Sequence, residues 1–182
     1  MREPEVQCER GLIVFRIVLI CTGNTCRSPM AESILSMLLS AEKLGGNGDM
    51  IRTPIQVSSA GVAAGEGMPA TPEACAVSEQ QGLDLSAHRS RGLTPEMILN
   101  ADLIVAMEEH HRQAAVRLMP ECADRITTLS ELAGLSSARG VADPIGGDEN
   151  RYRETFAQLE DLLKRAVPRI VTLTRDRASD PG

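Results

Sequence analysis

The sequence predicts an α/β fold: a single three-layer domain in which a four-stranded parallel sheet is flanked by helices. Three observations carry this. Short runs rich in Ile, Val and Leu alternate with longer segments of helical spacing along the 182 residues. Pro, Gly, Ser or Thr stands at the changes of period. Finally, the first apolar run, "GLIVFRIVLI", ends in "CTGNTCRSPMAE" (21–32) rather than in a plain turn. In open parallel sheets ligands sit beyond the carboxyl ends of the strands, where this stretch lies.

Residues 1–11 read as a polar N-terminal extension, 12–175 as the domain and 176–182 as a disordered tail. Residues 12–20 are a buried strand. Ser28 is a good helix N-cap and Pro29 a good first helical residue. "AESILSMLLSAEKL" continues with helical spacing until "GGNGD" stops it. "IQVSSAG" (55–61) is a second strand ended by Gly61, and the Ala/Gly/Pro-rich 62–72 is a loop followed by a helix to about Gln81. A short helix begins at Thr94. "ADLIVAM" (101–107) is a third strand, with a helix over 108–119. "RITTLSEL" (125–132) reads as a fourth strand running into a turn, and 134–148 as a long loop. Residues 149–175 form an amphipathic helix that Pro168 is expected to kink or end.

The 42% apolar share suffices for a core, and with only Phe15, Tyr152 and Phe156 as aromatics that core must be aliphatic. The net charge of −6 argues against a general nucleic-acid binder, so an anionic substrate must be drawn by a local site. Five cysteines, at 8, 21, 26, 75 and 122, show no small disulfide-framework spacing and fit a reducing cytoplasm. The run 11–20 is too short to span a bilayer and carries Arg16, and its acidic flank does not read as a signal sequence. No membrane association is expected.

Cys21 and Arg27 bracket five residues between a strand and a helix. Successive backbone N–H groups of a tight loop, topped by a helix N-terminus, make an anion cradle. Gly23 and Asn24 tolerate the positive φ that such a loop needs. Arg27 offers a planar fork that grips two oxygens of a phosphate-like group. Cys21, at the strand end, lies beneath the bound phosphorus, where amides, dipole and guanidinium favour a thiolate and Ser28 can donate to it. The stretch is a nucleophile inside a phosphate-binding loop, with Thr22, Gly23, Asn24, Thr25, Cys26 and Ser28 as the residues that line it. The competing reading makes Cys21 a buried small hydrophobe and Arg27 a surface charge. The strand, the Gly-Asn pair and the Ser-Pro helix start weigh against it.

"VLICTGNTCRSPMAE" resembles the signature of the low-molecular-weight protein tyrosine phosphatases, and the resemblance extends over about residues 13–166. "SSAG" (58–61), "LSAHRSRGLT" (85–94), "ADLIVAM" (101–107) and "DPIGG" (143–147) fall in the family's order. The resemblance implies a four-stranded parallel sheet, a phosphocysteine on Cys21, and no metal or other cofactor. It implies that Ser59 and His88 brace the loop through Asn24, and that Asp143 is the acid. An Asp-Pro pair is also a common turn opener. Phosphoryl transfer to Cys21, however, needs a proton donor for the leaving atom, and the same group then activates water. Asp148 lacks the Asp-Pro match and is secondary.

Cys26 has two readings: packing under the loop, or a disulfide with Cys21 under peroxide that shields the nucleophile. Cys75 and Cys122 are expected in helical or core positions. His110 and His111, in a Glu-Glu-His-His run without a further cluster at metal spacing, read as a solvated helix face.

Tyrosine-specific members resemble one another in carrying Ile at the position of Thr25 and paired aromatics after the Asp-Pro. Thr25 and "DPIGGD" instead look like the protein arginine phosphatase branch, and the 62–72 loop also lacks an aromatic. Each lost stacking contact is worth about 0.5–1.5 kcal/mol to a phosphotyrosine ring. Thr25 opens space and offers a polar contact to a guanidinium, with which Asp143 can pair. The expected substrate is thus phosphoarginine in a protein or peptide, with phosphotyrosine as the alternative and a monomer or weak homodimer as the expected assembly. An arsenate reductase needs a second, closely spaced cysteine pair, and Cys75 and Cys122 are far apart. A non-catalytic phospho-binding module would not need Cys21, Arg27 and Asp143 together.

Overall fold

Strand β1, Phe15–Cys21, is the spine of the molecule. The computed structural model describes residues 14–44, 53–135 and 140–179. The N-terminal extension, residues 12 and 13 of the expected first strand and the "GGNGD" stop lie outside them.

β1 pairs in parallel with β2 (Ile55–Gly61) on one side and with β3 (Leu103–Ala106) on the other. β3 pairs with β4 (Ile126–Thr128), giving an all-parallel sheet in the order β2-β1-β3-β4. The chain leaves β1 toward β2 and returns to β3 on the other flank. The carboxyl end of β1 is therefore the point where strand order reverses, and a crevice opens there. Cys21 is the last residue of that strand.

Strand periodicity divides the core. Phe15, Ile17, Leu19 and Cys21 face one layer, and Val18 and Ile20 face the other. The first layer holds α1 (Arg27–Leu44), α2 (Pro72–Gln80), α5 (Leu129–Leu132) and the long α6 (Glu149–Ser179), with Met30, Ile34, Val77, Leu129, Phe156, Leu159 and Leu163 buried against the sheet. The second holds α3 (Pro95–Asn100), α4 (Glu109–Leu118) and a 3₁₀ helix over Pro120–Arg125, with Ile98, Ala115 and Cys122 inside. Both faces of the sheet are covered, which is why its strands read as continuous apolar runs. Cys75 and Cys122 belong to different layers, so they form no pair.

Local signals placed most boundaries. Thr71 and Thr94 cap α2 and α3 by accepting from the Ala74 and Met97 N–H groups at 3.3 and 3.2 Å. Four expectations are corrected. α1 opens at Arg27, one residue before the expected cap, and the Cys26 carbonyl accepts its first bond from Met30 N–H at 3.2 Å. Ser28 and Pro29 are thus both inside the first turn, where a missing N–H costs nothing. The fourth strand ends at Thr128 because Thr128 and Glu131 form a capping box, which turns 129–132 into α5. β3 is shorter than 101–107. Helix α6 passes through Pro168 and continues over 176–179, residues assigned above to the tail. Val167 and Ile170 are buried on either side of the proline, and this packing outweighs the lost backbone bond. Residues 180–182 lie outside the described chain.

Candidate active site

The loop from Cys21 to Arg27 is shaped by where its carbonyls go. The Cys21, Thr22 and Thr25 carbonyls accept from the N–H groups of Val62, Ala63 and Thr71 at 2.9, 3.0 and 2.9 Å, and that of Asn24 from His88 Nε2 at 2.7 Å. A trans peptide points its N–H opposite to its C=O, so carbonyls drawn outward turn the amides inward. The result is a concave nest of N–H groups at the start of α1. The close approach of β2 requires Gly61, since a Cβ there would lie 2.5 Å from the Thr22 oxygen and 3.0 Å from the Asn24 nitrogen.

Asn24 holds this shape. It is fully buried, with φ +55°, a left-handed conformation that asparagine tolerates. Its amide donates to Ser28 Oγ and to Ser59 Oγ, each at 2.9 Å, while its Oδ1 accepts from Arg91 N–H at 3.0 Å. Ser59 passes its own proton to Glu32 Oε2 at 2.6 Å. Ser28 Oγ, having accepted from Asn24, lies 3.0 Å from Cys21 Sγ and 3.5 Å from the Ala60 carbonyl, and the Asn24 backbone N–H points to the same sulfur at 3.3 Å. Both groups stand where they can donate to a sulfur that accepts. Ser59 and His88 are thus both hydrogen-bonded to Asn24, one at its side chain and one at its carbonyl.

Arg27 is 2% exposed and its fork is fully engaged. Nη1 binds Glu108 Oε1 and the Val141 carbonyl, the latter at 3.1 Å. Nη2 binds Asp143 Oδ2 at 2.7 Å and reaches Thr22 Oγ1 at 3.4 Å. A buried guanidinium demands such partners. Asp143 arrives on the loop that follows Val141, whose N–H docks on the Met107 carbonyl at 2.8 Å. The structure therefore brings Cys21, Arg27 and Asp143 to one place.

Cys26 is buried, its sulfur 3.3 Å from Tyr152 Oη and 3.5 Å from Thr71 Oγ1. Burial, with Cys26 alongside, pushes the Tyr152 hydroxyl up to about 12.

Two site residues escaped the sequence reading. Glu108, at the N-cap position of α4, makes no cap bond because its carboxylate goes to Arg27. Its position at the carboxyl end of β3, beside β1, was the available signal. His111 is not on a solvated face: it is fully buried, with Nε2 2.8 Å from Thr22 Oγ1, whereas His110 is exposed. The spacing of His111 to the buried Ala115, one helical turn, would have turned it inward. Among the described residues, Glu108, His110 and His111 bring ligand atoms within 4.8 Å of one another. Arg27 already holds that carboxylate, and its charge opposes a cation there.

Burial, with the positive charges of His110 and Arg27 adding to it, depresses His111 to about 3 from an ordinary 6.5. The folded protein keeps this ring neutral while the unfolded chain takes up a proton near pH 6.5, so acidification below 6.5 favours unfolding. Relative to His111→Gln, the wild type should lose about 1.4 kcal/mol of stability per pH unit below 6.5 and show a flat difference above it. Urea denaturation of both proteins at pH 7.5, 6 and 5 checks this, and parallel pH dependences would contradict it.

Comparison with known proteins places the chain. The sequence profile described as low molecular weight phosphotyrosine protein phosphatase matches residues 16–178. A protein-arginine-phosphatase of Geobacillus stearothermophilus is 38% identical over 159 residues, covering 87% of this chain and 97% of the relative. That of Bacillus subtilis is 36% identical, covering 85% and 95%. The crystal structure of a low molecular weight protein tyrosine phosphatase from T. tengcongensis superposes with a TM-score of 0.75 at 38% identity, covering 85% of this chain and 99% of that one.

Proposed function

The chain belongs to the low molecular weight phosphotyrosine protein phosphatase family and is a cysteine-based protein phosphatase; from that premise we propose that its substrate is phosphoarginine in proteins or peptides and that Cys21, Arg27 and Asp143 carry the reaction. The observation that supports the arginine reading is the fate of the aromatics. Phe15, Tyr152 and Phe156, the only Phe, Tyr or Trp residues in the chain, are 3%, 2% and 5% exposed. None is at the surface to stack on a phosphotyrosine ring. Met68 in the 62–72 loop and Ile145 after the Asp-Pro are exposed aliphatic side chains instead. The Geobacillus and Bacillus relatives bear the name protein-arginine-phosphatase, which points the same way.

In the mechanism we propose, the phosphoryl group enters the amide nest and takes Arg27 Nη2 from Asp143. The Cys21 thiolate attacks phosphorus as the P–N bond breaks, and the Asp143 acid gives its proton to the leaving guanidine nitrogen. Asp143, now a carboxylate, takes a proton from water as the water oxygen attacks the phosphocysteine. The S–P bond breaks, inorganic phosphate leaves, and the Cys21 thiolate is restored. Ser28 and Asn24 N–H stabilise that thiolate as nucleophile and as leaving group. Glu108, on the other arm of the fork, keeps the guanidinium in plane while Asp143 moves. The free thiols of this site suit a reducing cytoplasm, where we place its action.

Cys21→Ser should abolish turnover while retaining vanadate affinity; residual turnover in that variant would remove the mechanism. Asp143→Asn should slow phosphoarginine hydrolysis by roughly 10²–10⁴-fold, the usual range for a positioned proton donor. The loss should be smaller on an aryl phosphate whose leaving group needs little protonation. Equal losses on both would make Asp143 a structural partner of Arg27 only.

Thr25 is half-buried in the loop, and its carbonyl is pinned by Thr71 N–H. Thr25→Ile removes a polar contact to a guanidinium, which costs about 1–3 kcal/mol. Phosphoarginine peptide turnover should fall roughly ten- to a hundredfold while phosphotyrosine turnover holds or rises. Parallel decline on both substrates would assign Thr25 to loop support, and a wild type that prefers phosphotyrosine would overturn the arginine reading.

A further inference from the structure

His111 is a buried polar side chain that the reaction above does not use. Its Nε2 lies 2.8 Å from Thr22 Oγ1, while its Nδ1 is buried with no hydrogen-bond partner. Thr22 follows the nucleophile directly and is an exposed residue, tied through its hydroxyl to the buried histidine. The same hydroxyl lies 3.4 Å from Arg27 Nη2.

Two proton arrangements are available. If Thr22 donated to Nε2, the ring proton would sit on Nδ1 as a buried N–H without an acceptor. If Nε2–H donates to Thr22 Oγ1, Nδ1 is left with a bare lone pair. Orphaned buried donors are the rarer and costlier defect, and the bare lone pair is compatible with the positive charge of Arg27 nearby. The second arrangement therefore wins. In it the Thr22 oxygen accepts from His111 and from Arg27, which uses both of its lone pairs. Its own proton has one direction left, away from both donors and free for a bound anion.

We propose that His111 is a positioning residue for the phosphoryl group: its Nε2–H fixes the Thr22 hydroxyl as a donor to the bound phosphate beside Arg27. The inference rests on the phosphatase reading and deepens it. An unbuttressed threonine hydroxyl rotates among staggered positions and can equally present a lone pair to the anion, which repels it. With His111 in place only the donating orientation remains, and no reorganisation is needed as charge builds on the phosphoryl oxygens. The neutral ring suits this task, because its single proton is already spent on Thr22.

The test is a double-variant cycle on the full chain with p-nitrophenyl phosphate, read beside vanadate affinity and thermal unfolding. Thr22→Val and His111→Leu should each lower kcat/KM about tenfold, and the double variant should lose no more than Thr22→Val alone. His111→Gln, whose amide N–H reaches a position close to that of Nε2, should recover most of the loss. Losses that multiply, or a Gln variant no better than Leu, overturn the proposal. A ¹⁵N spectrum of the histidine rings decides it without turnover, and also if His111→Leu does not fold. The wild type should carry its proton on Nε2, and Thr22→Val should shift that signal. A proton on Nδ1, or an Nε2 signal indifferent to Thr22→Val, would refute it. Failure of the phosphatase reading is distinguishable, since the wild type would then show no turnover while coupling remained measurable in vanadate affinity and in the ring spectrum.

Discussion

The buried side chain of Asn24 is the constraint on which the site depends. A non-glycine residue in the left-handed region carries strain of order 1–3 kcal/mol. Hydrogen bonds to Ser28, Ser59, Arg91 and His88 surround it, and each contributes roughly 0.5–1.5 kcal/mol net. Their sum, about 2–6 kcal/mol, is of the size needed to offset the strain, so the surrounding bonds hold the conformation. Glycine would satisfy the dihedral and none of the side-chain bonds. The chain Asn24 to Ser28 to Cys21 takes one direction once Cys21 is a thiolate, which can only accept, so the Ser28 proton then goes to sulfur. The same residue that bends the loop thereby also holds the hydroxyl beside the nucleophile's sulfur.

Arg27 sets the second constraint. Its guanidinium is buried in a protein whose net charge is −6, so attraction of an anion here must come from the local site rather than from the whole surface. Two carboxylates balance it, and they are held differently. Glu108 stands at the junction of β3 and α4, where backbone geometry fixes it. Asp143 stands on a loop between Val141 and α6, 40% exposed, and in the mechanism proposed above it yields its place to the incoming phosphoryl group. A bidentate arginine with one fixed and one exchangeable partner retains its orientation when an anion replaces the exchangeable one.

The aromatic residues show how core and specificity are linked. Phe15, Tyr152 and Phe156 all lie in the layer shared by β1, α1 and α6, and Tyr152 reaches up to Cys26 and Thr71 beneath the loop. Rings spent as buried support are not on the rim. The large exposed apolar side chains of the 62–72 and post-Asp-Pro loops, Met68 and Ile145, are not aromatic, which is the basis of the arginine reading proposed above.

Much of this was legible in the sequence because it is local. Periods of two and 3.6 residues mark the strands and most helices, Thr94 marks the start of its helix, and a Cys-x5-Arg loop between strand and helix states its chemistry in one stretch. Asn24 was legible as a residue type that tolerates positive φ, while the contacts of Ser59 and His88 with it and the placing of Asp143 were expected only from resemblance to a known family. Tertiary structure decided the rest. Nothing near Glu108 says that its carboxylate will abandon a helix cap for an arginine far back in the chain, since only the β1–β3 pairing makes them neighbours. His111, in a run of charged residues, looks solvated until the packing of α4 against the sheet turns it under Thr22. Pro168 reads as a helix breaker until buried residues on both sides of it are counted. Local pattern reports the preferences of a segment, whereas burial and charge pairing are set by what the fold places across from it.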